Sequence, residues 1–253
     1  MLTLLSPAKK LNEENQLLDN CSSPIFVEDA EKLISSLRKY NPKKLSKLMG
    51  ISPVLADLNV NRYAEWDINH TKNVNPAVLT FNGEVYAGLD AISFSKKEKI
   101  YAQDNLRILS GLYALLKPYD LIHPYRLEMG TKLKDGRKNN LYEFWGDKIV
   151  NEINDIVSNQ KETLLVNLAS NEYFKSINKK KLAATVITPV FKDFNNGTYK
   201  TVMVYAKKAR GMMASYIIKN KIEKVENLKG FDASGYCFNT EVSTDTELVF
   251  YRG

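Results

Sequence analysis

Five stretches of the chain combine residue types that can hold or act on an anion. In KKLSKLMGISPVLADL, residues 43–58, Lys43, Lys44 and Lys47 run into an apolar helical pattern that stops at Gly50 and restarts at Ser52-Pro53. Glycine closes many helices because it has no Cβ to oppose a left-handed residue, and Ser-Pro is a natural N-cap and first helical residue, so a plain helical corner accounts for the pattern. The same spacing suits a hairpin whose backbone N–H groups at Gly50, Ile51 and Ser52 point at a phosphate, helped by the positive end of the second helix.

SPAKK at 6–10 follows the apolar run MLTLL; Ser6 and Lys9 there could be a nucleophile and its activator, a pair of phosphate contacts, or a helix cap and a surface amine. PYRLEMG at 124–130 sets Arg126 and Glu128 two apart, so on a strand they would share a face and pair, with the guanidinium fork open to phosphate. NLASNEYFK at 167–175 ends a strand-like run with Asn167, Ser170, Glu172, Tyr173 and Lys175, at the kind of strand end where open α/β sheets bind ligands; Ser170 could equally cap the next helix. Finally, YAKKARGMMASYIIKNK at 205–221 puts Ala209, Met212, Met213, Tyr216 and Ile217 on one helical side, Lys207, Arg210 and Lys221 on one flank, and Lys208 and Lys219 on the other. Tyr205 and Tyr216 fit either base stacking or the core.

The elements that must position these residues read as a mixture. Strands are expected at residues 1–5, Ala77–Phe81, 163–170, 184–191, 199–206 and 247–253, with an Asn195-Asn196-Gly197 turn between two of them and Asn82-Gly83 as a further turn. Helices are expected at 28–40, around Gly50, at 141–157 and at 205–221, while 106–116 is apolar enough for either state and Pro118 ends it. Strands alternating with helices predict an α+β (mixed α/β) protein. We expect one compact domain over residues 1–253, its mixed sheet flanked by helices and carrying a helix-hairpin-helix-like element near 43–58.

Composition narrows the function. The 253 residues carry a net charge of +7, and nearly all of it lies in residues 200–229, where Lys200, Lys207, Lys208, Arg210, Lys219, Lys221, Lys224 and Lys229 face only Glu223 and Glu226, a net of +6. Residues 231–253 carry −3. Such asymmetry points to a polyanionic partner, and the KKK at 179–181 adds to it. The two histidines, His70 and His123, and the two cysteines, Cys21 and Cys237, form no metal-ligand spacing, so no metal site and no cofactor are expected. GxxxxGK[ST], GxGxxG and GxSxG are all missing, which leaves nucleotide cradles and serine-hydrolase elbows unsupported. No run is long and apolar enough for a membrane helix, and MLTLL has neither a basic leader nor a cleavage site; we expect a cytoplasmic protein with no membrane partner.

Taken together, SPAK (6–9), NGEVYAGL (82–89), LRILSGLYALLKPYDLIHPYRLEMG (106–130), FWG (144–146), NLASNEYFK and KKARGMMASYII (207–218) resemble, in order and along almost the whole chain, the YaaA family of bacterial peroxide-stress proteins. The resemblance implies a cytoplasmic protein of unusual mixed α/β architecture, tied to limiting intracellular iron and oxidative DNA damage during peroxide stress. It also implies binding of double-stranded DNA through a positive cleft and a helix-hairpin-helix, for which residues 43–58 are the best match. Ala114 stands where the family pattern often has glycine, Ser215 where a basic residue is common, and Asn171 where an acidic one is often seen.

The leading expectation is therefore a non-enzymatic binder of double-stranded or structured DNA, with Lys9, Lys43, Lys44, Lys47, Lys175, Lys207, Lys208 and Arg210 supplying charge and Gly50, Ile51 and Ser52 supplying amides. The alternative is an enzyme acting on nucleic acid or a phosphorylated metabolite, which requires Ser6, Lys9, Arg126, Glu128 and Glu172 to share one cleft.

Overall fold

The computed structural model describes residues 1–14, 18 and 21–253. Eight strands form its main sheet: β1 (Leu2–Leu5), β2 (Leu106–Ser110), β3 (Ala114–Leu116), β4 (Leu164–Asn167), β5 (Thr185–Asn195), β6 (Thr198–Lys200), β7 (Cys237–Phe238) and β8 (Glu247–Arg252). Their spatial order is β7-β8-β5-β4-β1-β2-β3, with β6 folded back onto β5. The five central strands are parallel, and β1 lies between Leu106 of β2 and Val166 of β4 at Thr3. All four residues of β1 are buried, as expected of an apolar run covered by helices on both faces. This is the expected mixed α/β class.

The helices longer than five residues among the described residues are α1 (Val27–Leu37), α2 (Pro42–Met49), α3 (Pro53–Glu65), α4 (Glu84–Leu89), α5 (Lys96–Asn105), α6 (Lys148–Ser158) and α7 (Met203–Asn220). α4 and α7 touch backbone to backbone. A Cβ on Gly211 would lie 1.8 Å from the Val85 carbonyl oxygen, and one on Gly88 would lie 2.1 Å from that of Lys208. These two glycines fix how far α7 can slide along α4, and hence where Lys207 and Arg210 stand.

Several local expectations are corrected. Ala77–Phe81 is not a strand; Ala77–Thr80 is one helical turn, with Thr80 Oγ1 donating to the Pro76 carbonyl at 2.9 Å, between the two-residue strands Asn75–Pro76 and Phe81–Asn82. A short run buried on every side has no periodicity to read. Gly83 is extended rather than turned, and the turn expected there is the start of α4. The strand expected at 199–206 ends at Lys200, where Thr201 Oγ1 bonds the Phe191 carbonyl at 3.3 Å, and α7 begins at Met203.

α7 is buried over a wider arc than the Ala209–Ile217 side, because Gly211, Ala214, Ser215 and Ile218 are also covered. Ser215 is thus an interior position and no site for a phosphate contact. The helical stretch 141–157 is broken by left-handed Gly146. Residues 106–116 form the β2–β3 hairpin; Ala114, where the family resemblance suggests glycine, is buried at φ 60°, a conformation that opposes a Cβ.

Candidate functional site

The parallel strands β1 and β4 deliver their following loops to the same edge of the sheet. There Ser6–Lys10, Arg126–Glu128, Ser170–Tyr173, the Asn82–Val85 start of α4 and the Thr201–Arg210 start of α7 surround a cleft of about 810 Å³. The strand-end position is where ligands enter open parallel sheets.

Ser6 and Ser170 join the two strand ends. The Ser170 N–H donates to Ser6 Oγ at 2.8 Å, the Ser6 hydroxyl points to Ser170 Oγ at 3.3 Å, and the Tyr86 hydroxyl donates to the Ser6 carbonyl at 3.0 Å. Ser6 is a structural clasp; among the described residues no imidazole or carboxylate bonds its hydroxyl, the arrangement an activated nucleophile requires. Ser170 sits at the N-cap of the turn Asn171–Phe174, but its side chain makes no capping bond there.

The charged groups are arranged unevenly. Glu128 lies between two cations, with Lys9 Nζ at 2.6 Å from one oxygen and Arg126 Nη2 at 3.1 Å from the other. The expected Arg126–Glu128 pair therefore exists, although residues 123–128 are not a strand. The carbonyl of Arg126 accepts a hydrogen bond from the Tyr63 hydroxyl, and its Nε is buried without a partner. Glu172 Oε1 accepts from the Gly130 N–H at 2.9 Å, and its carbonyl accepts from Tyr142 at 3.0 Å.

Arg210 differs from the other cations: it lines the cleft, burial pushes its pKa below the usual guanidinium value, and no carboxylate pairs with it among the described residues. The floor beneath these charges is apolar. Phe81, Tyr125, Leu127, Leu168 and Tyr173 are all buried there. The Tyr125 ring is fixed by a 2.6 Å hydrogen bond between its hydroxyl and Ser110 Oγ.

Ser6, Lys9, Arg126, Glu128, Glu172, Lys207 and Arg210 thus share one cleft. Lys175 lies outside it, with its ammonium 5.7 Å from the Tyr142 ring, and exposed Lys208 is not part of the lining. Sequence reading overlooked Lys10, Tyr125, Thr201 and Met203 as lining residues. It took Asn82-Gly83 for a turn only; the signal that could have found it was the NGEVYAGL segment carrying the family resemblance.

Residues 43–58 form a separate unit. Asn41 caps α2 by accepting from the Lys44 N–H at 2.9 Å, Gly50 closes the helix at φ 63°, and Ser52 caps α3 by accepting from the Leu55 N–H at 3.3 Å. The N–H groups of Gly50 and Ile51 both donate to the Ser46 carbonyl. Lys43, Lys44, Lys47, Gly50 and Ser52 are exposed, and none of residues 43–58 lines the cleft. The link between the two runs through Tyr63, whose hydroxyl reaches the Arg126 carbonyl and lies 3.8 Å from Met49 Sδ.

The histidines lie elsewhere, with rings 5.0 Å apart between Trp66 and Tyr113. Both are buried, and burial pushes both pKa values down, that of His70 to about 4.

Fold and site define a mixed α/β protein with a cation-lined cleft at the ends of its parallel strands. The chain belongs to the peroxide stress protein YaaA family, whose description matches residues 1–242. It is 53% identical to a UPF0246 protein of Aliivibrio fischeri strain MJ11, over all of this chain and 98% of that one. UPF0246 proteins of Colwellia psychrerythraea and Marinomonas sp. strain MWYL1 are each 50% identical over all of this chain and 99% and 97% of theirs. Family membership supports a role in peroxide stress. Among the described residues no helix is long and apolar enough to cross a membrane.

Proposed function

We propose that the chain serves peroxide defence by binding double-stranded or structured DNA, largely without regard to sequence, and so limits oxidative DNA damage and intracellular iron. The observation that carries this reading is the meeting of Lys207 and Arg210 with Lys9, Lys10 and Arg126 around one opening. Phosphate contacts dominate such binding and position the nucleic acid without reading its bases. The exposed lysines Lys43, Lys44 and Lys47 of α2 offer a second set of phosphate contacts. Titration of DNA affinity against salt tests both. Removing one phosphate contact lowers the log–log slope by about 0.9, so Lys207→Ala/Arg210→Ala lowers it by about 1.8 and Lys47→Ala by about 0.9. An unchanged slope in the double variant overturns the cleft assignment; an unchanged slope in Lys47→Ala removes that contact.

A second reading is favoured by the convergence of Ser6, Lys9, Arg126, Glu128 and Glu172, the group required for an enzyme acting on nucleic acid or a phosphorylated metabolite. Carboxylates and cations over an apolar floor are the usual equipment of such a site. Incubation with duplex, single-stranded and abasic DNA and with nucleotides, followed by chromatography, tests it. Unaltered substrates in every case remove the enzymatic reading.

A further inference from the structure

We infer that the cleft holds a single nucleotide, its phosphate at Arg210 and its base on the floor formed by Tyr125 and Tyr173. The ligand chemistry is the same whether the nucleotide is free or is an unpaired residue of a DNA strand. The second source rests on the DNA-binding reading; the first stands without it.

Size is the first argument. At about 810 Å³ the cleft falls among pockets of about 300–1,000 Å³ that enclose one small ligand. A duplex, whose major groove alone is about 12 Å wide, can lie across such a mouth but cannot enter it. Whatever fills the interior is smaller than a double helix.

Charge is the second. Lys9 and Arg126 already face Glu128, whereas Arg210 reaches the same space partly desolvated and without a carboxylate. Arg210 is half-buried at the cleft wall, and a cation drawn out of water without a partner is costly in a protein that has no use for it. The missing counter-charge belongs inside the cleft, and a phosphate matches the guanidinium fork.

The floor is the third. Backbone recognition alone needs no aromatic surface, yet buried Tyr125 and Tyr173 line the cleft and the Tyr125 hydroxyl is tied to Ser110. Flat apolar surface beside an anion site fits a nucleobase joined to its phosphate. Glu172 adds an acceptor at the wall: one oxygen takes the Gly130 amide, and the other has no hydrogen-bond partner among the described residues. Carboxylates accept from the amino groups of bases.

The test uses 2-aminopurine, whose fluorescence rises when it leaves the base stack, placed in a duplex opposite either thymine or an abasic residue. A parallel arm follows the melting temperature of the whole protein with a nucleoside monophosphate, the matching nucleoside and inorganic phosphate. Expected is a change in fluorescence for the unpaired 2-aminopurine, a rise for a base freed from its neighbours or a fall for one stacked on the tyrosines, a dose-dependent rise in melting temperature with the nucleoside monophosphate that neither fragment reproduces, or both. Arg210→Gln should weaken the nucleotide response at least tenfold while the ligand-free melting temperature stays the same or rises, since the guanidinium has no ion pair among the described residues to give up. Glu172→Gln should change the ranking among bases and leave phosphate binding in place. Fluorescence alone assigns the site to DNA, and the melting shift alone assigns it to a free nucleotide. Tight DNA binding with neither response overturns the inference and leaves the DNA reading standing. A nucleotide response without any DNA binding supports the inference and overturns that reading. A full response in Arg210→Gln overturns the inference in either source.

Discussion

The α2–α3 hairpin and the cleft are both basic, and they are built on opposite plans. In the hairpin, capping bonds lie within a few residues of each other in sequence: Asn41 to Lys44, Ser52 to Leu55, and Gly50 and Ile51 to Ser46. Its lysines stand in solvent. In the cleft, hydrogen bonds join segments far apart in the chain, such as Ser6 with Ser170 and Gly130 with Glu172, and one arginine is drawn partly out of water. A local corner can be changed without disturbing the fold, whereas the cleft exists only when five segments are in register.

The largest expected difference lies between two glycines. Gly211→Ala forces a methyl into the Val85 carbonyl, must separate α4 from α7, and should cost about 3 kcal/mol or more together with DNA affinity, as read from denaturant unfolding and a binding titration. Gly50→Ala has open space around its Cβ and meets only the left-handed backbone penalty of about 1 kcal/mol. If Gly211→Ala is as mild as Gly50→Ala, the two helices are not set by that close approach.

Acid should act on the packing of His70 and His123 between Trp66 and Tyr113. His70 titrates at about 4 in the fold against an ordinary 6.5, so the unfolded chain takes up the proton first. Stability is complete above about pH 6.5 and falls as the pH drops towards 4, by on the order of 3 kcal/mol for His70. His123 shifts in the same direction. His70→Asn, which suits the φ of 50° at that position, should flatten this profile in urea unfolding measured from pH 7 to 4; an unchanged profile would place the acid sensitivity elsewhere.

The smallest expected effect separates the two cationic surfaces. Lys47→Ala should leave stability within about 0.5 kcal/mol and alter only the salt dependence of DNA binding, because its ammonium is exposed. A comparable change in Lys207→Ala at unchanged stability would show both surfaces on one DNA molecule; a change in only one identifies the working surface.

The same contrast explains what the sequence made legible. The corner between α2 and α3 was legible because Gly50, Ser52 and Pro53 act over three or four positions; the Asn41 cap went unread. The mixed sheet was legible because buried apolar runs such as MLTLL need cover on both faces. Ala77–Thr80 misled because a buried single turn is as apolar as a strand, and the start of α7 misled because a β-branched segment, TVMV, leads into a helix held by tertiary packing on α4. The candidate residues of the cleft could be named from strand ends. Their meeting could not, since the position of Arg210 relative to Ser6 depends on Gly88 and Gly211, and nothing nearby in sequence marks those glycines as a point where two helices touch.

Glu128 stands between Lys9 and Arg126 in the stance a nucleic-acid oxygen would take. On the proposed DNA-binding function, an incoming strand would have to supplant a resident carboxylate, and a departing one would leave its former partners reunited instead of bare. Such an exchange would favour quick release and movement along a polymer over a long grip at any single address.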